Sequence, residues 1–302
     1  MSEAAASFAI GAAMFAMMFG MGLTLMPADF RRVAKAPRAT VLGTALQLIV
    51  MPLVALGIAN AFDLAPLLTV GLVVIGACPG GLFSNMYIHF AKGNTALSIT
   101  LTATATLATL FTLPLWVRFA LSAVPGDASI DMPVLDTAVQ LGGLTVLPVF
   151  LGMIARAYFP ALASWERRLS LASAVVIVWG VVRQGASRPD PPIEEFMASL
   201  LPVACFSLAA IAIGIILPTL FGLRARDTVT IAVELVVKNT LLGIVLVGQS
   251  LDFEAMIPIL AFALMQTPCG ILILVGWRVL VRRGVLSDVP TEDDSDSAPA
   301  AA

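Results

Sequence analysis

Charge is scarce in this chain. Asp, Glu, Lys and Arg make up 12% of its 302 residues, against roughly 25% in soluble domains. The net charge is −2 and no basic stretch is longer than a pair, which excludes a nucleic-acid-binding surface. Cysteine is also scarce. Three residues, an odd number and all in apolar stretches, exclude a disulfide framework and give no metal-binding spacing. What replaces the missing polarity is hydrocarbon: 59% of the residues are hydrophobic and the mean hydropathy is +0.98, where roughly 45–50% is usual for a globular protein. A soluble fold has too little interior for that much apolar side chain, so a soluble enzyme and a disordered chain are both excluded. Barrel strands alternate in polarity and give weak hydropathy, which excludes an outer-membrane barrel. An all-α polytopic membrane protein remains, embedded in the lipid bilayer.

A helix needs about 20 apolar residues to cross the hydrocarbon core. Nine segments qualify: 7–26, 38–60, 67–90, 95–121, 132–155, 169–185, 197–221, 228–248 and 255–280. The transmembrane domain is therefore expected over 1–286, followed by a disordered acidic tail over 287–302. Segment 7–26 reads as a retained span, since Ser2 and Glu3 precede it and a basic cluster follows it. Arg31, Arg32, Lys35, Arg38, Lys92, Arg156, Arg167, Arg168, Arg224, Arg226, Arg278, Arg282 and Arg283 fall on one side, thirteen of the seventeen basic residues. By the positive-inside rule that side is cytoplasmic. The N-terminus is then outside, the C-terminus inside, and the location a plasma (inner) membrane. Only Glu234 and Lys238 fall deep within a span.

Two spans are interrupted. In the third, Cys78-Pro79-Gly80-Gly81 combines a residue that cannot donate a helical bond with two that soften the backbone. This predicts a break there and a new half-helix beginning near Ser84 and Asn85. A proline kink that only serves packing is the alternative. In the eighth, Glu234, Lys238, Asn239 and Thr240 interrupt an apolar run without proline. Spans 1–4 and 6–9 overlay as two sets of four in opposite orientation, and each interrupted helix is third in its set. That pattern predicts an inverted repeat with a binding site where the broken helices cross near the midplane.

The segments Met18-Phe19-Gly20-Met21-Gly22-Leu23-Thr24-Leu25 and Pro27-Ala28-Asp29-Phe30, Cys78-Pro79-Gly80-Gly81 with Ser84-Asn85, Lys92-Gly93-Asn94-Thr95-Ala96-Leu97-Ser98, and Glu234 with Asn239 resemble the bile acid:sodium symporter family. The resemblance covers all nine spans and points to a bacterial homologue. It implies a panel domain (7–26, 132–155, 169–185) moving against a core domain (38–60, 67–90, 95–121, 197–221, 228–248, 255–280). It also implies a first sodium site drawing on Ser84, Asn85, Ser98, Thr102 and Glu234. The family's second site would use Gln47, Glu234, carbonyls near Leu235 and Val237, and a glutamine at position 238, where this chain has Lys238.

Lysine has only donors and cannot ligate sodium while protonated. Its ammonium is expected where a second sodium would sit, with Glu234, four residues earlier, as its partner if the segment is helical. Snorkelling to an interface is the alternative. The substrate, a small organic anion, is expected near Leu82, Phe83, Ser84, Asn239, Thr240, Gln266 and Thr267, at the half-helix N-termini. Gln140 and Thr145 either face it or bridge helices. His89 is expected to have a packing or interface role, with a proton relay as the alternative, and the thirteen methionines are expected to be packing residues. The expected function is alternating-access symport of the anion with sodium, one ion at most. No enzymatic chemistry and no nucleic acid are involved, and the oligomeric state is left open. The alternatives are a sodium-independent or proton-coupled carrier with Lys238 in place of an ion, a ligand receptor that does not transport, and a cation/proton antiporter.

Overall fold

The structure, a computed structural model, describes residues 3–24, 37–81, 83–123, 134–186 and 192–283. Among these residues all regular structure is helical apart from one isolated bridge. In chain order the helices are α1 (Glu3–Gly22), α2 (Pro37–Ala61, with a π turn at Leu46–Val50), α3 (Pro66–Ala77) and α4 (Ser84–Phe90). They continue with α5 (Thr95–Ala123), α6 (Val134–Tyr158), α7 (Glu166–Ala186, after a 3-10 turn at Pro160–Trp165) and α8 (Ile193–Leu220). The last three are α9 (Ala225–Val236), α10 (Thr240–Ser250) and α11 (Ile257–Arg282, after a 3-10 turn at Phe253–Met256).

Four of these, the α2, α7, α8 and α11 segments, are long and apolar enough to cross a membrane. A fifth is α5, if its two arms are taken together. Those arms, Thr95–Thr109 and Phe111–Ala123, meet at 59°. Pro114 explains the bend, because it offers no N–H to the carbonyl four residues earlier and its ring crowds that turn. Large apolar side chains on the outward faces, among them Val175, Leu208 and Leu264, are exposed, as lipid-facing residues are.

Helix α1 packs against α6 and α7. The α1–α6 contact is backbone to backbone: a Cβ on Gly152 would lie 2.9 Å from Gly22 Cα, so small residues let these helices approach closely. Helices α2 to α5 and α8 to α11 pack among themselves, and the two groups meet where α5 touches α6 and where α10 touches α1 and α7.

Two helices stop in mid-course. Helix α3 ends at Ala77, and Cys78 is extended (φ −64, ψ 144), as expected before Pro79, whose ring disfavours the helical conformation of its predecessor. The chain resumes as α4. Helix α9 ends at Val236, and α10 begins at Thr240 with Asn239 as its cap, its side-chain oxygen accepting from Leu242 N at 3.1 Å. The two unwound segments bond to each other as an antiparallel bridge between Gly80 and Lys238. Gly81 N donates to Val237 O at 2.7 Å, and Asn239 N donates to Pro79 O at 2.9 Å. Each break thus supplies partners for backbone groups that hydrocarbon would leave unpaired. A Cβ on Gly81 would stand 2.6 Å from Lys238 O, so the close approach requires glycine there.

Candidate functional site: a carboxylate between the crossing breaks

Glu234 lies in the last turn of α9, fully buried. Thr102 Oγ1 donates to its Oε2 at 3.0 Å. Ser98 Oγ lies 2.5 Å from its Oε1 and 2.7 Å from Asn85 Oδ1. A hydroxyl carries one proton and can donate to only one of these oxygens. Ser84, at the start of α4, also lies against the carboxylate, and its hydroxyl donates to Gly81 O at 2.8 Å. Helices α4, α5 and α9 therefore bring hydroxyl, amide and carboxylate oxygens to one buried point, with more acceptor oxygen than donor hydrogen. Hard cations are held by this type of ligand.

Ser98 and Thr102 are one turn apart on α5 and share a face. The register of α5 against α9 is set by Asn94. Its Nδ2 donates to Asp227 Oδ1 at 2.7 Å, its backbone N donates to Thr230 Oγ1 at 2.8 Å, and its Oδ1 accepts from Leu97 N at 3.1 Å.

Gly80 makes room for the carboxylate. A Cβ there would overlap Glu234 Oε2 and stand 3.2 Å from Thr102 Oγ1. Gly80→Ala is therefore expected to push Glu234 out of the cluster and to destabilise the fold by about 1–3 kcal/mol, the usual cost of overpacking. Gly276→Ala, where a Cβ meets nothing within 4 Å, should leave stability unchanged. Melting temperatures of the two purified variants check this.

Lys238 is 2% exposed and does not pair with Glu234. Its Nζ donates to Gly76 O at 3.1 Å and Cys78 O at 2.9 Å, the carbonyls at the C-terminal end of α3. The helical spacing that would have joined it to Glu234 does not exist, because α9 ends two residues before Lys238. The ammonium instead meets the negative end of a half-helix, where a cation is favoured. Gln47 sits in the π turn of α2, which packs against α3, α5 and α9. It is fully buried, and neither amide atom has a hydrogen-bond partner among the described residues.

A cavity of about 80 Å³ lies between this crossing and helices α1 and α7. Phe83, Asn239, Thr240 and Gln266 line it. Gln266 Nε2 donates to Thr240 Oγ1 at 3.4 Å, and its Oε1 has no partner among the described residues. Ser84 is buried beside Glu234 instead, and Thr267 is exposed and does not line the cavity. Leu82 lies outside the described residues, as do the side chains of Gln140 and Thr145. Met17, Met18 and Met21 of α1 form the opposite wall with Ser170 of α7. Nothing in their local sequence distinguishes these methionines from packing residues. His89 is exposed in the last turn of α4, its ring edge against Phe90.

Residues 12–187 match the sodium bile acid symporter family. The chain is 28% identical over 269 residues to the "Uncharacterized sodium-dependent transporter YocS" of Bacillus subtilis (strain 168), covering 88% of this chain and 82% of that one. It is 30% identical over 256 residues to the human ileal sodium/bile acid cotransporter, covering 83% and 72%. It is 29% identical over 236 residues to the "Probable sodium/metabolite cotransporter BASS2, chloroplastic" of Oryza sativa subsp. japonica, covering 76% of this chain but only 54% of that one. All three are named as transporters. With its long apolar helices, the chain is a multi-pass membrane transport protein. The family match covers more than half of the residues, and the chain belongs to the sodium bile acid symporter family.

Proposed function

We propose that this protein is a sodium-coupled symporter of a small organic anion, working by alternating access. The observation that carries the reading is the buried Glu234 carboxylate, met by Ser84, Ser98 and Thr102, with Asn85 meeting Ser98 beside it. These five residues hold one sodium ion. The anion occupies the cavity beside the crossing, against Phe83, Asn239, Thr240 and Gln266. Helices α1, α6 and α7 form a panel that moves against the remaining helices. The half-helix pairs α3/α4 and α9/α10 are the third members of two inverted sets, and the chain crosses the membrane nine times. Sodium favours the arrangement that receives the anion, and coupling follows from its different affinity for the inward and outward states.

The test is uptake of labelled organic acids into proteoliposomes with and without an inward sodium gradient. Uptake of at least one acid should rise with the gradient, and a gradient without effect on any of them overturns the sodium coupling. A second reading, a sodium-independent or proton-coupled carrier, is favoured by the Lys238 ammonium, which already satisfies carbonyls at the crossing. It predicts uptake that persists without sodium and follows pH.

Orientation is tested separately. On a background lacking Cys78, Cys205 and Cys269, a cysteine at Asp127 should react with an impermeant thiol reagent from outside, and one at Arg226 should not. The reverse labelling would place the N-terminus inside.

A further inference from the structure

A second cavity, of about 600 Å³, lies apart from the crossing, where the start of α2, the α4–α5 turn and the α8–α9 turn meet. Its wall includes Arg38, Arg224, Arg226, Asn94 and Asp227. Arg226 is held in place, with Nε donating to Lys92 O at 3.1 Å and Nη2 to Gly93 O at 3.3 Å. The guanidinium groups of Arg38 and Arg224 make no hydrogen bond or ion pair among the described residues. Asp227, the one carboxylate among the described residues of the wall, accepts from the Asn94 amide and forms no ion pair with these arginines. The described wall thus holds three guanidinium groups and one carboxylate.

A further feature points the same way. The wall also contains the start of α9, whose cap residue Arg224 makes no side-chain capping bond. The positive end of that helix dipole adds to the arginines. Leu220 and Phe221, which directly precede Gly222 of the wall, are 75% and 65% exposed. Gly222 (φ +69) lets the chain turn sharply out of α8 into the cavity wall.

We propose that this cleft binds a phosphate group. Guanidinium forks match phosphate oxygens in pairs. The exposed apolar residues next to the wall favour an anionic phospholipid as the source, with its headgroup in the cleft and its chains along Leu220 and Phe221. A soluble phosphate shares the headgroup's chemistry but has no use for those apolar residues. This site is independent of the carboxylate at the crossing, and its occupancy is measurable without transport.

The test uses the purified full chain in a neutral detergent and follows thermal unfolding by tryptophan fluorescence. Short-chain phosphatidylglycerol, short-chain phosphatidylcholine and inorganic phosphate are titrated separately. A ligand that binds only the folded state raises the melting temperature in a saturable way. Phosphatidylglycerol should do so and phosphatidylcholine should not, and the effect should weaken with salt. In the double variant R38Q/R224Q the lipid-free melting temperature should stay the same. The concentration for half the effect should rise by about tenfold or more, as expected from losing charged hydrogen bonds. In R167Q/R168Q neither quantity should change. If inorganic phosphate alone gives the same arginine-dependent rise, the cleft binds soluble phosphate and the lipid source is dropped. No rise with either ligand, a rise that survives in R38Q/R224Q, or one lost equally in R167Q/R168Q overturns the proposal.

Discussion

Glu234→Ala and Glu234→Gln are expected to reach the membrane folded and to show no sodium-driven uptake. The carboxylate is the one negative charge among the oxygens of the crossing, and it is fully buried. A unit charge 4 Å from a cation at an effective dielectric of about 20 contributes roughly 4 kcal/mol. Losing it costs close to a thousandfold in ion affinity, since each 1.4 kcal/mol is a factor of ten. The glutamine variant separates charge from shape, because it keeps the side chain's size and one of the two oxygens that Ser98 and Thr102 meet. Its failure alongside the alanine variant would therefore assign the effect to charge. Asn85→Ala removes the neutral oxygen 2.7 Å from Ser98 and is also expected to abolish ion-driven uptake. Ser98→Ala and Thr102→Ala should raise the sodium concentration for half-maximal uptake more than they slow saturated transport. The measurement is initial uptake against sodium, with surface abundance checked for each variant. Normal transport at low sodium in both Glu234→Ala and Asn85→Ala would remove these residues from the ion site.

The first break was legible because its cause is local. Pro79 forbids the helical bond and forces Cys78 extended, so a break at Cys78–Gly81 follows from four adjacent residues. The second break has no such cause in its own sequence. Val236 and Val237 do not stop a helix. The segment is held open by bonds from Pro79 and Gly81, whose sequence distance hides them, and by the Asn239 cap. The four-residue spacing between Glu234 and Lys238 therefore misleads: it describes a helical face that ends at Val236. The contribution of Gly80 was equally hidden, since it consists of space left for a side chain 154 positions away. The π turn around Gln47 has no local signature either, although π turns are frequent at functional sites. The arginine cleft was visible only as scattered loop charges, which are enough to assign a membrane side but not to show that Arg38, Arg224 and Arg226 share one wall.

Lys238→Gln is expected to change how many sodium ions the protein uses. The ammonium now donates to Gly76 O and Cys78 O at the negative end of α3. There it supplies a positive charge in the crossing that never leaves. With Glu234 the pair sums to zero before any ion binds, so at most one sodium per substrate is expected in the wild type. Replacing the ammonium by an amide removes the fixed charge and adds an oxygen, so that a second ion can be held in the crossing near Glu234. It also exchanges the charged donor that serves both carbonyls for a shorter, neutral one, and a carbonyl left unpaired in the interior costs about 1–3 kcal/mol. The variant should therefore be less stable than wild type in choline chloride and should recover more of that loss in sodium chloride. The dependence of its uptake on sodium should steepen from a Hill coefficient near one toward two. If Lys238 instead exchanges a proton during transport, wild-type uptake should persist without sodium and vary with pH, and Lys238→Gln should remove that variation. Uptake against sodium at several pH values, for wild type and variant, distinguishes the two outcomes. A wild-type coefficient near two that is unchanged in the variant would show that the ammonium replaces no ion.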